Sequence, residues 1–362
     1  MIYNYDDIRT VHLEITDKCA AACPMCARNM FGGADNPYLP DSELSLDDCK
    51  RLFEPKFVAN LDKMFMCGNY GDPISARDTL EVYEYFRKEN PAIKLGMNTN
   101  GSARKPDWWQ NLGGLLNSKG SYAKFGIDGL ADTNHIYRRR TNFDRIIENM
   151  EGFIKGGGKA HWDFIVFKHN EHQVEEAEAL ARKLGVTWFQ VKKTGRFFST
   201  AQMASKDRQE VHDKHGNLEY HIEMPLNPAY RNAAVGTEDT LIAKHGSIDG
   251  YLDNVRISCK TGNEKSIFVS SEGLVFPCCW TANQMYVWYF PEFGAPIWKH
   301  INEVGGKDAI NGTIKPMREI IEGPFFNSIE DSWSKPTCKQ GKLKVCAKTC
   351  GVEFDPFKEQ FK

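Results

Sequence analysis

Several features are missing from this chain, and each absence narrows what it does. No apolar run approaches the ~18 residues needed to span a bilayer. The opening MIYNYDDIRT is too polar for a secretory signal. An excess of one charge is also lacking: 46 Lys and Arg against 48 Asp and Glu give a formal net charge of -2, which offers no general attraction to nucleic acid or anionic lipid. There is no internal repeat and no low-complexity tract. Hydrophobic residues at 41% and charged residues at 26% exclude wholesale disorder. The chain therefore reads as a folded cytoplasmic protein with neither membrane nor nucleic acid as partner. Without a secretory route a disulfide framework is excluded too. The eleven cysteines then need another explanation, because clustered thiols in a reducing compartment bind metal or do redox chemistry.

The cysteines fall into two groups. Cys19, Cys23 and Cys26 crowd the N-terminus, Cys49 and Cys67 stand alone, and Cys259, Cys278, Cys279, Cys338, Cys346 and Cys350 lie in the last third. Between Cys67 and Cys259 there are 191 residues without one, which suggests two metal sites in two domains; 362 residues also suit about two domains. Short β-rich runs at 10–16, 63–67, 93–98, 122–127, 161–167 and 186–192 alternate with helix-period stretches at 45–55, 76–89, 143–155 and 171–184. Six βα repeats imply an α/β fold: a parallel sheet, closed or partly closed into a TIM-like barrel, with reactive groups on the loops after the strands. The polar stretch 197–250 reads as a connector with one helix at 201–213. Residues 251–362 read as a small α+β domain with strands at 266–270 and 274–276.

The run Cys19-Ala-Ala-Ala-Cys23-Pro-Met-Cys26 follows the first strand directly. Three thiolates can hold a cubane iron–sulfur cluster and leave one iron open to a small molecule. Zinc, with His12 as a fourth ligand, and a redox pair of Cys23 and Cys26 are the competing readings. In the order of the strands there then come Gly68-Asn69-Tyr70-Gly71-Asp72-Pro73, Asn98-Thr99-Asn100-Gly101, and Gly126-Ile127-Asp128-Gly129 followed by His135, Tyr137 and Arg138.

This series resembles the radical S-adenosylmethionine (SAM) superfamily, in which CxxxCxxC follows the first strand. The resemblance implies a [4Fe–4S] cluster on Cys19, Cys23 and Cys26 whose open iron chelates SAM. One electron then cleaves the sulfonium, and the 5′-deoxyadenosyl radical abstracts a substrate hydrogen. It implies SAM contacts from Gly68, Tyr70, Gly71 and Asp72 as a variant GGEP loop, from Asn98 and Asn100, from Asp128 and Arg138, and from Met25 near the adenine. The sequence departs from the pattern in four places, one of them Met25, where an aromatic is often found. Asn69-Tyr70 is inserted between the glycines, Asp72 replaces Glu, and Gly126 stands where Ser is usual.

Cys259-x13-Gly273-x4-Cys278, a strand–turn–strand, resembles the opening of the auxiliary-cluster extensions called SPASM and twitch. Cys338-x7-Cys346-x3-Cys350 follows. The shorter, twitch-like form with one auxiliary [4Fe–4S] cluster is the expectation, with Cys259, Cys278, Cys350 and either Cys346 or Cys338 as ligands. A zinc ribbon is the alternative here. Cys49 reads as core and Cys279 as packing beside a ligand. The expected domains are thus 1–196 as a radical SAM partial (β/α)6 barrel, 197–250 as connector and 251–362 as the auxiliary-cluster domain.

The resemblance implies an oxidoreductase-type enzyme fed by a flavodoxin- or ferredoxin-type donor, with SAM and two clusters as cofactors. Its substrate would be a small molecule of the sugar, aminocyclitol or nucleotide type. A peptide or protein maturase is the alternative; a first strand near residue 10 leaves no room for an N-terminal leader-binding domain. A non-catalytic zinc-binding interaction protein is the alternative of another class. Catalytic candidates are Cys67, Asp163 and Lys192, with Lys168 and Lys193 as further charges at strand ends.

Overall fold

The computed structural model describes residues 2–197 and 207–353. Six strands, β1 (Thr10–Leu13), β2 (Lys63–Met66), β3 (Lys94–Thr99), β4 (Tyr122–Gly126), β5 (Ala160–Ile165) and β6 (Trp188–Lys192), pair in parallel in chain order. Helices Leu46–Leu52, Thr79–Glu89, Pro106–Leu115, Phe143–Lys155 and Val174–Leu184 join them. This is the α/β partial barrel the βα alternation called for.

Local chemistry fixes the helix ends. Ser45 Oγ accepts from Asp48 N at 3.2 Å while Asp48 Oδ2 accepts from Ser45 N at 2.9 Å, a capping box. Gly185, at φ +79°, ends Val174–Leu184 in the left-handed conformation that costs glycine little.

The two faces of the sheet differ, and the difference places the site. Along β4, Ala123 and Phe125 are buried against the helices, whereas Tyr122, Lys124 and Gly126 are half-buried on the other face. The covered face carries Phe125 and Trp162, and the helices over it bring Trp109 and Phe153, all fully buried. The inner face is polar, so the strand interior lines a chamber and not a closed apolar core.

Two more strands extend this sheet. In β7 (Arg208–His212) and β8 (Leu218–Glu223) the chain forms a separate antiparallel hairpin, but β9 (Ser266–Val269) pairs in parallel with β1, and β10 (Val275–Phe276) folds back on β9. The order is β10-β9-β1-β2-β3-β4-β5-β6. The strand pair expected near 266–276 is therefore present, and it continues the barrel sheet. A strand has no use for a sheet of its own when a neighbouring edge offers unpaired backbone groups.

The helix expected at 201–213 is corrected over 208–212, which is strand β7; 201–206 lies outside the described residues. Val211 and Ile222 are fully buried between polar neighbours, an alternation of period two that favours strand. The hairpin packs Val211 and Ile222 in one cluster with Ala21, Cys23 and Met25 of the cysteine loop; beside it His212 N donates to Phe31 O at 3.0 Å, Tyr220 Oη donates to Ile136 O at 2.8 Å, and Arg139 pairs with Glu219 at 2.5 Å. Helices Thr237–His245 and Ile248–Asn254 follow it. No helix of the described residues is long and apolar enough to cross a membrane.

Candidate active site

The loops after β1 to β4 meet around one cavity of about 240 Å³. Its lining includes Cys19, Cys23, Cys26, Cys67, the segment Gly68–Asp72, Asn98, Asn100 and Arg138, and it reaches Asp163 and Lys192 on β5 and β6. Two of the residues expected to contact SAM do not line it. Met25 is packed with Tyr137, Phe167 and Phe197, and its carbonyl accepts from Arg196 Nη1 at 2.8 Å. Asp128 is fully buried behind Arg138.

Each loop is braced by a buried carboxylate. Asp72 accepts from Thr99 Oγ1 at 2.8 Å and from Asn100 N at 2.7 Å, so the loop after β2 is tied to the end of β3. Burial pushes the Asp72 carboxyl upward, and these donors pull it back. Asp128 accepts from Ile165 N at 2.6 Å and from Arg138 Nε at 2.6 Å. Asn100 Nδ2 then donates to Cys19 Sγ at 3.4 Å, and Arg138 Nη1 reaches Cys23 Sγ at 3.8 Å. A cation and an amide thus face two sulfurs.

Glu14 was not singled out from the sequence, yet it holds the glycine loop. Its Oε1 accepts from Tyr70 N at 2.7 Å and Gly71 N at 3.1 Å. Burial pushes its carboxyl up to about 7. The backbone passes so close that a Cβ on Gly71 would lie 1.8 Å from Thr16 O, and one on Gly68 would lie 2.2 Å from Gly71 O; both positions require glycine. The inserted pair also has a task. Asn69 Nδ2 donates to Cys279 O at 2.9 Å and Tyr70 Oη to Asn283 O at 2.9 Å, so the insertion fastens this loop to the C-terminal segment.

The thiols of Cys19 and Cys23 are pushed upward, chiefly by burial. Buried thiolates need positive charge that water no longer supplies, and ligation by iron provides it. Among the described residues no group of three or more His, Cys, Asp or Glu side chains is arranged to hold a single metal ion. What the three N-terminal cysteines share is a cavity, together with donors to two of their sulfurs, and that donor set fits a thiolate-held cluster. His12 is not with them: its Nε2 lies 2.6 Å from Cys67 O, and burial lowers its pKa to about 4.

A second cavity, also about 240 Å³, is lined by Cys259, Cys278, Cys279, Cys346 and Cys350, with His12 on its wall. Cys338 does not line it; its N–H donates to Asp253 Oδ1 at 2.6 Å and its side chain packs on the Leu241–Tyr251 cluster. Cys49 is fully buried core. Of the strand-end charges, Lys168 pairs with Glu223 outside the first cavity, and Lys193 does not line it. Lys124, which the sequence reading passed over, does.

A parallel partial barrel with a three-cysteine loop over its strand ends defines a class of fold and site, and the comparisons agree with it. Residues 13–184 match the family model described as the Radical SAM superfamily, so this segment is a Radical SAM domain. No curated protein matches the chain by sequence. Among solved structures it is similar to Streptococcus suis SuiB bound to S-adenosylmethionine, at 15% identity and TM-score 0.55, over 98% of this chain and 76% of that one. It is similar also to native anSMEcpe with bound AdoMet, at 13% identity and TM-score 0.52, over 97% and 95% of the two chains. At such identities the likeness shows the fold.

Proposed function

We propose that this protein cleaves SAM reductively and abstracts a hydrogen atom from an organic substrate, with an auxiliary cluster assisting a net oxidation. Cys19, Cys23 and Cys26 would hold the SAM-binding cluster, and Cys259, Cys278, Cys346 and Cys350 the auxiliary one. Cys346 is preferred to Cys338 because it faces the cavity the other three line. When bound, the cluster and SAM supply one-electron chemistry that no side chain can.

The protein's own residues bind, orient and exclude water. Arg138, aligned by Asp128, presents a guanidinium suited to the SAM carboxylate. Glu14 fixes the Gly68–Asp72 segment so that its backbone can approach the ligand. Asn98 and Asn100 offer amides at the end of β3, and the β7–β8 hairpin packs against the cysteine loop. Cys67 lies on the same lining, its thiol pushed up to about 11 by burial, so it stays protonated at neutral pH. The observation that carries this reading is the convergence of three cysteines and the segments after four successive strands on a single cavity.

A peptide substrate is the second reading. β6 ends the sheet, and among the described residues no strand pairs with its outer edge, a place where an extended peptide can add. Of the similar structures, SuiB has been solved bound to precursor peptide SuiA, and anSMEcpe with the Cp18Cys peptide. The test is anaerobic reconstitution with iron and sulfide, followed by reduction in the presence of SAM. Release of 5′-deoxyadenosine, lost in Cys23→Ala, supports the reading. Tightly held zinc with no cleavage would contradict it.

A further inference from the structure

Three adjacent strands of the barrel bring one carboxylate between two ammonium groups. Lys124 stands on β4, Asp163 on β5 and Lys192 on β6. The registers Gly126↔Asp163 and Ile165↔Lys192, with alternate residues sharing a face, put all three on the inner side. Lys192 Nζ lies 3.1 Å and Lys124 Nζ 3.6 Å from the same oxygen, Asp163 Oδ2. Asp163 is 4% exposed, and its other oxygen, Oδ1, is buried with no hydrogen-bond partner among the described residues. All three residues line the chamber that the cysteine loop lines.

Of the other charges nearby, Asp72 on the same lining accepts from Thr99 Oγ1 and Asn100 N. Arg138 is paired with Asp128, and Arg196 Nη1 donates to the Met25 carbonyl and lies 3.1 Å from the Tyr137 hydroxyl. Lys63 sits over the Tyr122 ring at 5.3 Å, and burial, with Lys124 nearby, disfavours its charged form. On this wall of the chamber two ammonium groups thus converge on one carboxylate oxygen. Partly desolvated charge of one sign is costly until a counter-charge arrives.

We propose that Lys124 and Lys192, spaced by Asp163, form the seat for an oxyanion of the substrate, a carboxylate or a phosphate, on the β4–β6 wall of the chamber. This rests on the reading of that chamber as the place where SAM and substrate meet. Asp163 acts as a positioning residue: it holds the two ammonium groups together and moderates their pull on the ligand.

Calorimetric titration of the reconstituted holoenzyme, saturated with SAM so that the SAM carboxylate is already placed, tests the seat. Inorganic phosphate is the probe in one arm and acetate in the other; the tighter of the two names the source of the oxyanion. Lys124→Met and Lys192→Met should each weaken that probe by about tenfold, the loss of one charge-assisted contact. Asp163→Asn should tighten it, which a purely structural role would not do. No saturable binding of either probe by the wild type, or weaker binding by Asp163→Asn, overturns the proposal. Release of 5′-deoxyadenosine is followed in parallel. A wild type that cleaves SAM but binds neither probe refutes the seat alone. One that binds a probe and never cleaves SAM refutes the radical SAM reading and leaves the seat standing.

Discussion

Gly126 and Arg138 compete for one volume: a Cβ on Gly126 would lie 2.4 Å from Arg138 Nη2. The glycine that departs from the superfamily's usual serine is therefore the residue that lets the guanidinium cross β4 to reach Asp128 and Cys23. Gly126→Ser should displace Arg138 and weaken SAM binding by about tenfold or more, as expected when a charge-assisted pair is lost. Equilibrium SAM binding checks this, with circular dichroism confirming an intact fold. Unchanged affinity would separate Arg138 from the SAM carboxylate.

Glu14 should give the protein an unusual pH slope. Its carboxyl is raised from 4.5 to about 7 by burial, so the folded state binds more protons than the unfolded state between those values. Stability from this group is then fully present below about pH 4.5 and is lost as pH climbs towards 7. The size is of order 3 kcal/mol, at ~1.4 kcal/mol per pKa unit. Glu14→Gln retains an acceptor for Tyr70 N and Gly71 N and should flatten that part of the profile. Urea unfolding between pH 5 and 8 measures the difference in slope.

The proposed auxiliary cluster makes a paired prediction. Cys346→Ala should lose one cluster's worth of iron and the matching electron paramagnetic resonance signal, while Cys338→Ala should keep both. The reverse result would move the fourth ligand to Cys338 and require the Asp253 contact to break.

Removing the insertion's anchor should loosen the join between glycine loop and C-terminal segment. Tyr70→Phe leaves the Asn283 carbonyl without its 2.9 Å donor, at about 1 kcal/mol. Faster amide exchange at residues 68–72 is the expected readout, with the thermal midpoint slightly lowered.

Trp109 tests the core beneath the site. It is fully buried, its Nε1 donates to Ala103 O at 3.0 Å, and its ring lies 5.1 Å from Phe125. Trp109→Ala should cost roughly 3–5 kcal/mol, judged by denaturant midpoints.

By itself the sequence determined the strand-and-helix alternation, because periods of 2 and 3.6 are local. It also determined the order of the cysteine loop and of the three segments after β2, β3 and β4, because each follows its own strand. Non-local partners were out of its reach. Glu14 sits more than fifty residues from the backbone it clamps, and nothing about a glutamate in a strand-like run announces that. Lys124 gains meaning only when β4, β5 and β6 align in register, and Cys338 and Cys346 are told apart only by the cavity one of them faces. The hairpin at 208–223 and the docking of β9 on β1 were likewise tertiary decisions. A polar segment chooses strand when a neighbour can bury its alternate side chains, and an edge chooses its partner by unpaired hydrogen bonds, and neither is written in the segment alone.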